Sequence, residues 1–468
     1  MSGRPAATAL RSGDVALSVG CPDKSLPNGW AWAALDEVAT MATGHTPSRR
    51  HPEYWGGSIP WMTVGDARSS HGSVAHDTRE HINALGIQNS AAVLLPPETV
   101  CLSRTGSIGY SVRLGREMAT SQGFVNWICG EHLLARFLQH LFMAENAFLH
   151  RISEGVAHTT IYFPEAKAFH VALPPLPEQR RIVEALEMHL ARMDATVTSL
   201  HRVRAHLKRY RTAILLAAVE GRLSGGQIGW REDAFRSVVA DSLVGLVRNA
   251  EQQTSGPPGA PYIKMNNLRI DGSLDLSDLV YVAATRAEED RFAVRRGDIL
   301  FNTRNSVELV GKSAVVQCVP SETVFNNNIM RIRVVPGVDP RFLALQMRSK
   351  FFASQIARVK RATTSVAAVY AKDLFGLRVR IPSVDVQRRI ADEVDHQESV
   401  ARAIEDLIAA SGRRLARVRQ SLLRRAFDGH LVPQDPRDEP ASVLLDRLRS
   451  ERTTKSSSPK NNSVRSRR

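Results

Sequence analysis

The residues of this chain that could do chemistry do not converge on a catalytic pattern. The four cysteines, Cys21, Cys101, Cys129 and Cys318, stand far apart with no Cys-x-x-Cys pair. Neither a thiolate zinc knuckle nor a disulfide scaffold is expected, and such sparse use fits a reducing cytoplasm. The fifteen histidines are scattered singly and no His-Glu-x-x-His occurs, which removes the helical zinc pair. Gly311-Lys312-Ser313 has the ending of a phosphate loop, but the glycine required five residues before Gly311 is Ser306, so Gly311 reads as a turn. Leu95-Pro96-Pro97 and Leu173-Pro174-Pro175 have paired prolines without the polar residue that amino-methyltransferases place before them. No glycine-rich strand-to-helix turn for a nucleotide or methionine cofactor is present. Glu288, Glu289 and Asp290 fall in a charged stretch that reads as solvated. Together these readings argue for a binding protein rather than a catalyst.

The elements that must position any binding residues come from an internal duplication. Residues 179–223 align without gaps on residues 387–431 at an offset of 208, with twelve identities in 45 positions. Both segments open Gln-Arg-Arg-Ile, and they close on Gly221-Arg222-Leu223 and Gly429-His430-Leu431. The offset is too long for a solenoid and reads as one tandem duplication of a whole unit. Within the first copy Ile182, Leu186, Leu190, Met193, Val197, Leu200, Val203, Leu207, Tyr210 and Ile214 step by 3 or 4, and the second copy repeats the stripe from Ile390 to Leu422. That spacing predicts two long amphipathic helices with coiled-coil character. Prolines precede each run, and Gly221 and Gly429 fit helix stops. A helix of about 40 residues is about 60 Å long. Its apolar stripe needs a partner, and the other copy is the nearest one available.

The segments ahead of each helix also correspond. Ile59-Pro60-Trp61-Met62-Thr63-Val64-Gly65-Asp66 aligns with Ala260-Pro261-Tyr262-Ile263-Lys264-Met265-Asn266-Asn267, and the stretch from Thr99 to Ser107 aligns with that from Asp298 to Ser306. Short β-rich runs between Gly, Asn and Ser turns predict two mixed α/β (α+β) domains, at residues 29–174 and 224–381. The long helices are expected at 175–223 and 382–432, a short helix followed by a basic disordered tail at 433–468, and a flexible extension at 1–28.

The chain has 468 residues, 43% of them hydrophobic and 23% charged, and a mean hydropathy of −0.21. Those are ordinary globular values for two to four domains. No apolar run is long enough to span a bilayer and no secretory h-region is evident, so a cytoplasmic protein without membrane contact is expected. The formal charge is +15. Residues 451–468 hold six basic residues and one acidic one, so most of the excess lies in the body of the chain. Such a surplus favours a polyanion, because bound basic side chains release condensed counterions.

The order of features resembles the specificity subunits of type I restriction-modification systems. Gly29-Trp30-Ala31-Trp32-Ala33-Ala34-Leu35-Asp36-Glu37-Val38, Thr43-Gly44-His45-Thr46-Pro47-Ser48, Ile59-Pro60-Trp61 and Gly65-Asp66 resemble the start of a target-recognition domain. Ser103-Arg104-Thr105-Gly106-Ser107-Ile108-Gly109 resembles a later segment of one. Pro174-Pro175-Leu176-Pro177-Glu178-Gln179-Arg180-Arg181-Ile182 is similar to the entry of the central helical region, and Glu439-Pro440-Ala441-Ser442-Val443-Leu444-Leu445 to the C-terminal ending. The second half departs from the pattern, with Asn302-Thr303-Arg304-Asn305 where the first has the Arg-Thr-Gly run.

The resemblance implies two target-recognition domains joined by two antiparallel helices with pseudo-two-fold character. Each domain would read one part of a bipartite, asymmetric site in double-stranded DNA, with the helices as the ruler between the parts. It further implies two adenine-methyltransferase (modification) subunits and two ATP-dependent restriction subunits as partners. S-adenosylmethionine, ATP and magnesium would belong to those partners, and this chain would hold no cofactor and no catalytic residue. Base edges are read by Arg or Lys at guanine and Asn or Gln at adenine. On that chemistry the candidates are Arg104, Thr105 and Gln122 in the first half. In the second they are Lys264, Asn266, Asn267, Arg304 and Asn305, with Asn327 at the centre of the run 326–328. A plain surface turn is the competing reading for each. Arg180, Arg181, Arg388 and Arg389 are further candidates for phosphate contact or for bonds near the helix starts. Two rival functions are a fused restriction or modification enzyme with an unrecognised active site, and a coiled-coil scaffold that binds only proteins.

Overall fold

Two helices of 44 residues, Leu176–Val219 and Val384–Phe427, form where the repeat places them. Their starts are fastened in the same way. Gln179 is buried, its amide nitrogen donating to the carbonyls of His132 and Pro174 at 3.0 and 3.1 Å and its oxygen accepting from Leu134 N at 3.0 Å. Gln387 donates to Gly337 and Pro382 at 3.2 and 2.8 Å and accepts from Asp339 N at 2.8 Å. Three positions on, Ile182 and Ile390 are fully buried. The Gln-Arg-Arg-Ile repeat is therefore a latch between helix and domain. Beyond the helix ends, Gly221 and Gly429 adopt φ of 74° and 73°, the left-handed conformation that lets a helix close off its last carbonyls.

The computed structural model describes residues 9–153, 159–226, 229–363 and 366–457. The chain divides into two compact units, residues 1–199 with 411–468, and residues 200–410. In the first unit one sheet orders the strands Arg11–Ser12, Leu17–Val19, Phe169–Leu173 and Ala31–Ala34. A five-stranded sheet runs Ala39–Thr43, Phe124–Cys129, Val100–Ser103, Ser111–Leu114 and Val74–Ala75. A smaller sheet joins Ala119–Thr120, Trp55–Met62 and Glu80–Ile82. Trp127, Phe137, Phe142, Phe148 and Phe169 fill the core, which also takes Ile182 and Leu186 of the first helix and Leu423 and Phe427 of the second.

The expectation of a flexible 1–28 extension is corrected for the described part. Arg11–Ser12 and Leu17–Val19 are sheet strands. The buried Glu145 carboxylate fixes the chain between them, accepting from the backbone N–H groups of Asp14, Val15, Ala16 and Leu17 at 2.7–3.1 Å. At the other end a helix spans Ala441–Ser457. It is longer than the short helix expected within 433–468; residues 458–468, and 1–8, lie outside the described residues.

The second unit repeats the plan. One sheet runs Val239–Val244, Ile329–Val334, Ile299–Asn302 and Ser313–Val315. Another runs Gln253–Thr254, Val280–Val282, Ala260–Ile263 and Val324–Phe325. A three-stranded ribbon joins Arg304–Asn305, Ala367–Ala368 and Arg361–Ala362. Ile390 and Val394 of the second helix and Ala218 and Val219 of the first enter its core.

Polar pairs link the helices in antiparallel order. Asp194 meets Arg419 at 3.5 Å within the first unit. In the second, Arg211 meets Glu398 and Glu405 at 3.1 and 2.8 Å, and the Tyr210 hydroxyl donates to Gln397 at 2.6 Å. Of the predicted stripe, Leu186, Leu190 and Leu207 are buried while Val197, Val203, Leu407 and Val418 stay exposed.

Candidate nucleic-acid interface

Each unit presents a turn built by the same backbone hydrogen bonds. In the first unit, Ala119–Thr120 pairs in parallel with the end of Trp55–Met62. The chain then turns through residues 121–123. Ser121 N donates to Met62 O at 2.9 Å, His45 N to Thr120 O at 2.9 Å, and Arg104 N to Gly123 O at 2.8 Å. In the second unit Val324–Phe325 pairs in parallel with Ala260–Ile263. Asn326 N donates to Ile263 O at 2.9 Å, Leu246 N to Phe325 O at 2.8 Å, and Thr303 N to Asn328 O at 2.9 Å. The equivalences coincide with the sequence alignment of Met62 on Ile263 and of Arg104 on Thr303. They place Gln122 and Asn327 at the same position of the same turn.

Both central residues keep amide donors available. Gln122 is exposed; its side-chain oxygen is bonded by the Thr46 hydroxyl, and its amide nitrogen has no partner among the described residues. The Asn327 side chain, half-buried, has none at all among the described residues. Its two neighbours hold the turn instead. Asn326 donates to the Tyr262 hydroxyl at 3.0 Å and accepts from Asn328 N at 2.8 Å. An amide that accepts and donates side by side is the group that pairs with an adenine edge.

The structure corrects the expectation for several other candidates. Asn267 is only 4% exposed. Its oxygen accepts from Lys264 N at 2.7 Å and its nitrogen donates to Asp275 O at 2.9 Å. Asp66 does the same work in the first unit, accepting from Thr63 N at 2.9 Å, so the position is a turn cap and no base edge can reach Asn267. Burial pushes the Asp66 carboxyl up, but bonds from Thr63 and Arg79 outweigh it and leave it below its ordinary value. Arg104 turns inward: its guanidinium donates to the carbonyls of Gln122 and Ile161 at 3.2 and 3.3 Å and lies 4.1 Å from the Phe163 ring centroid. Burial lowers its pKa. It braces the turn that carries Gln122. Thr105 is bonded to Thr160 at 2.9 Å. Asn305 donates to Asn302 at 2.7 Å and accepts from Ser306 N at 2.8 Å.

The remaining candidates lie at the surface of the second unit. Lys264 reaches Gln253 at 2.8 Å, and Asn266 is exposed. Arg304 is exposed on the ribbon, where Ala368 pairs with it on one side and with Arg361 on the other. Directly paired residues share a face, so the two arginines stand about 10 Å apart across the small Ala368. Arg361 was missed in the sequence, although the basic run Arg358-Val359-Lys360-Arg361 marked it. Thr46, the partner of Gln122, stands inside the run Thr43-Gly44-His45-Thr46-Pro47, where the sequence did not mark it as such. Arg181 is engaged with Asp438 at 2.8 Å.

The resemblance seen in the sequence is borne out by similarity to known proteins. Residues 27–203 match the family model described as the type I restriction modification DNA specificity domain. Similarity to individual proteins extends almost end to end. The EcoKI specificity subunit of Escherichia coli K12 is 24% identical over 455 residues, covering 91% of this chain and 96% of that protein. The StySPI specificity subunit of Salmonella potsdam is 22% identical with the same coverage of 91% and 96%. The fold is shared with the HsdS subunit of Thermoanaerobacter tengcongensis at a TM-score of 0.54 and 19% identity, over 87% of this chain and 99% of that one. A chain from a structural study of complex assembly in the type I R-M system superposes at a TM-score of 0.63 with 18% identity, over 87% of this chain and all of the other. Among the described residues no helix is long and apolar enough to cross a membrane.

Proposed function

We propose that this chain is the DNA specificity subunit of a type I restriction-modification complex. The observation that carries the proposal is the pair of equivalent turns, each presenting an amide, in a duplicated chain similar throughout to specificity subunits. The chain binds double-stranded DNA and associates with modification and restriction subunits. The domain at 29–174 reads one part of a bipartite asymmetric site and the domain at 224–381 reads the other. Unlike residues at equivalent positions, Gln122 and Asn327, suit unlike half-sites. Two modification and two restriction subunits complete the assembly, in the cytoplasm. The chain itself carries no catalysis; S-adenosylmethionine, ATP and magnesium are handled by the partners.

Selection of bound duplexes from a random pool, using the chain assembled with its modification subunits, tests this. A single two-part motif with a fixed unread gap is expected. Recovery of no motif would favour the protein-binding scaffold, and methylation or cleavage by the purified chain alone would favour the fused enzyme.

A further inference from the structure

The second unit contains a cleft of about 1060 Å³ between one face of the first long helix and the loop that follows Asn266. His201, Arg204, Lys208 and Arg211 line it from the helix, at steps of 3 and 4 that keep them on one face. In all, six cationic side chains face three carboxylates there. The carboxylates are already engaged. Arg211 holds Glu398 and Glu405, and Asp271 accepts from the backbone and hydroxyl of Ser273 at 2.9 and 2.6 Å. Lys312 is occupied too, donating to the carbonyls of Met265 and Leu268 at 2.8 and 2.6 Å.

Arg269 is paired with Asp275, which leaves three cations. Arg204 and Lys208 are exposed, with no side-chain bond or ion pair among the described residues. Arg348 lies deeper, packed on Gly272 so closely that a Cβ there would come within 2.7 Å of its Nη1. Its guanidinium also has no hydrogen bond or ion pair among the described residues. Burial works against its charge, and Glu398 and Asp271 support it only at longer range. A guanidinium held in that state is stabilised by any anion that enters the cleft.

We infer that this cleft takes the sugar–phosphate backbone of the bound duplex, as a sequence-blind contact beside the base-reading surface. Continuity with Asn266, which stands on its rim, favours DNA over a small free anion. So does the spacing: Arg204 and Lys208 stand one helical turn apart on the same face, so both can meet a backbone that carries a charge at every nucleotide. The inference rests on the specificity reading above.

The test uses the assembled complex and measures duplex affinity against salt, for the recognised site and for random duplex. In the double variant Arg204→Gln/Lys208→Gln both affinities should fall by the same factor. The slope of log affinity on log salt should become shallower by about 2, with the recognised motif unchanged. The charge-keeping variant Arg204→Lys/Lys208→Arg should retain the wild-type slope. Unchanged affinity and slope in the Gln variant, or loss confined to the recognised site, would overturn the cleft contact while leaving the specificity reading intact. Absence of any duplex binding by the wild-type complex would overturn both.

Discussion

Gln122 and Asn327 sit at the centre of the same three-residue turn, each held between a parallel strand pair and the strand-end that donates from Arg104 N or Thr303 N. Replacing either amide with alanine should remove discrimination at one base position. A good bidentate contact to a base is worth about 1–3 kcal/mol, so Gln122→Ala and Asn327→Ala should each weaken binding to the recognised site while leaving random-duplex affinity in place. Competition between the site and its single-base variants reads this directly.

How much of this was legible in the sequence depends on the range of the interactions. The helices were visible because Gln-Arg-Arg-Ile and the apolar stripe occur twice. The strand ends at Met62 and Ile263, and at Val100 and Ile299, were visible because local runs align. The N-terminal strands were not, since their anchor, Glu145, lies 128–131 residues away. Polar candidates are more numerous in the sequence than in the fold for a similar reason. A sequence shows that Arg104 and Asn267 can pair with bases; only the fold shows that Ile161 and Asp275 have taken their donors.

Arg104 acts by bracing. Arg104→Met removes two charge-assisted bonds and a ring contact, a loss of about 1–2 kcal/mol of stability. The salt dependence of DNA binding should stay at the wild-type slope, because no phosphate contact is lost. Denaturant unfolding and salt titration of the same variant separate the two effects.

Asp66 gives a pH signature that its counterpart lacks. Its folded pKa lies below the ordinary 3.8, so the stability it contributes is complete above that value and is lost as pH falls through the lowered one. Asp66→Asn installs the residue type the second unit already uses at Asn267. It should keep the bond from Thr63 N and abolish this acid-side loss, whereas Asp66→Ala should cost about 1 kcal/mol at neutral pH. Thermal unfolding between pH 2 and 7 distinguishes the three proteins.

The latches should be separable. Gln179→Leu leaves Leu134 N and the carbonyls of His132 and Pro174 without their partner, and Gln387→Leu does the same at Asp339, Gly337 and Pro382. Each should cost about 1–3 kcal/mol. Hydrogen exchange should show the loosening at the first residues of the affected helix alone.

The most direct test of the central claim is the adenine-methylation pattern of a host carrying the intact system. With the wild-type gene one bipartite motif should be methylated, and it should vanish on deletion. Gln122→Ala should then relax only one part of the motif and Asn327→Ala only the other. A methylome unchanged by deletion beside working partner subunits, or one in which either substitution relaxes both parts together, would contradict the account.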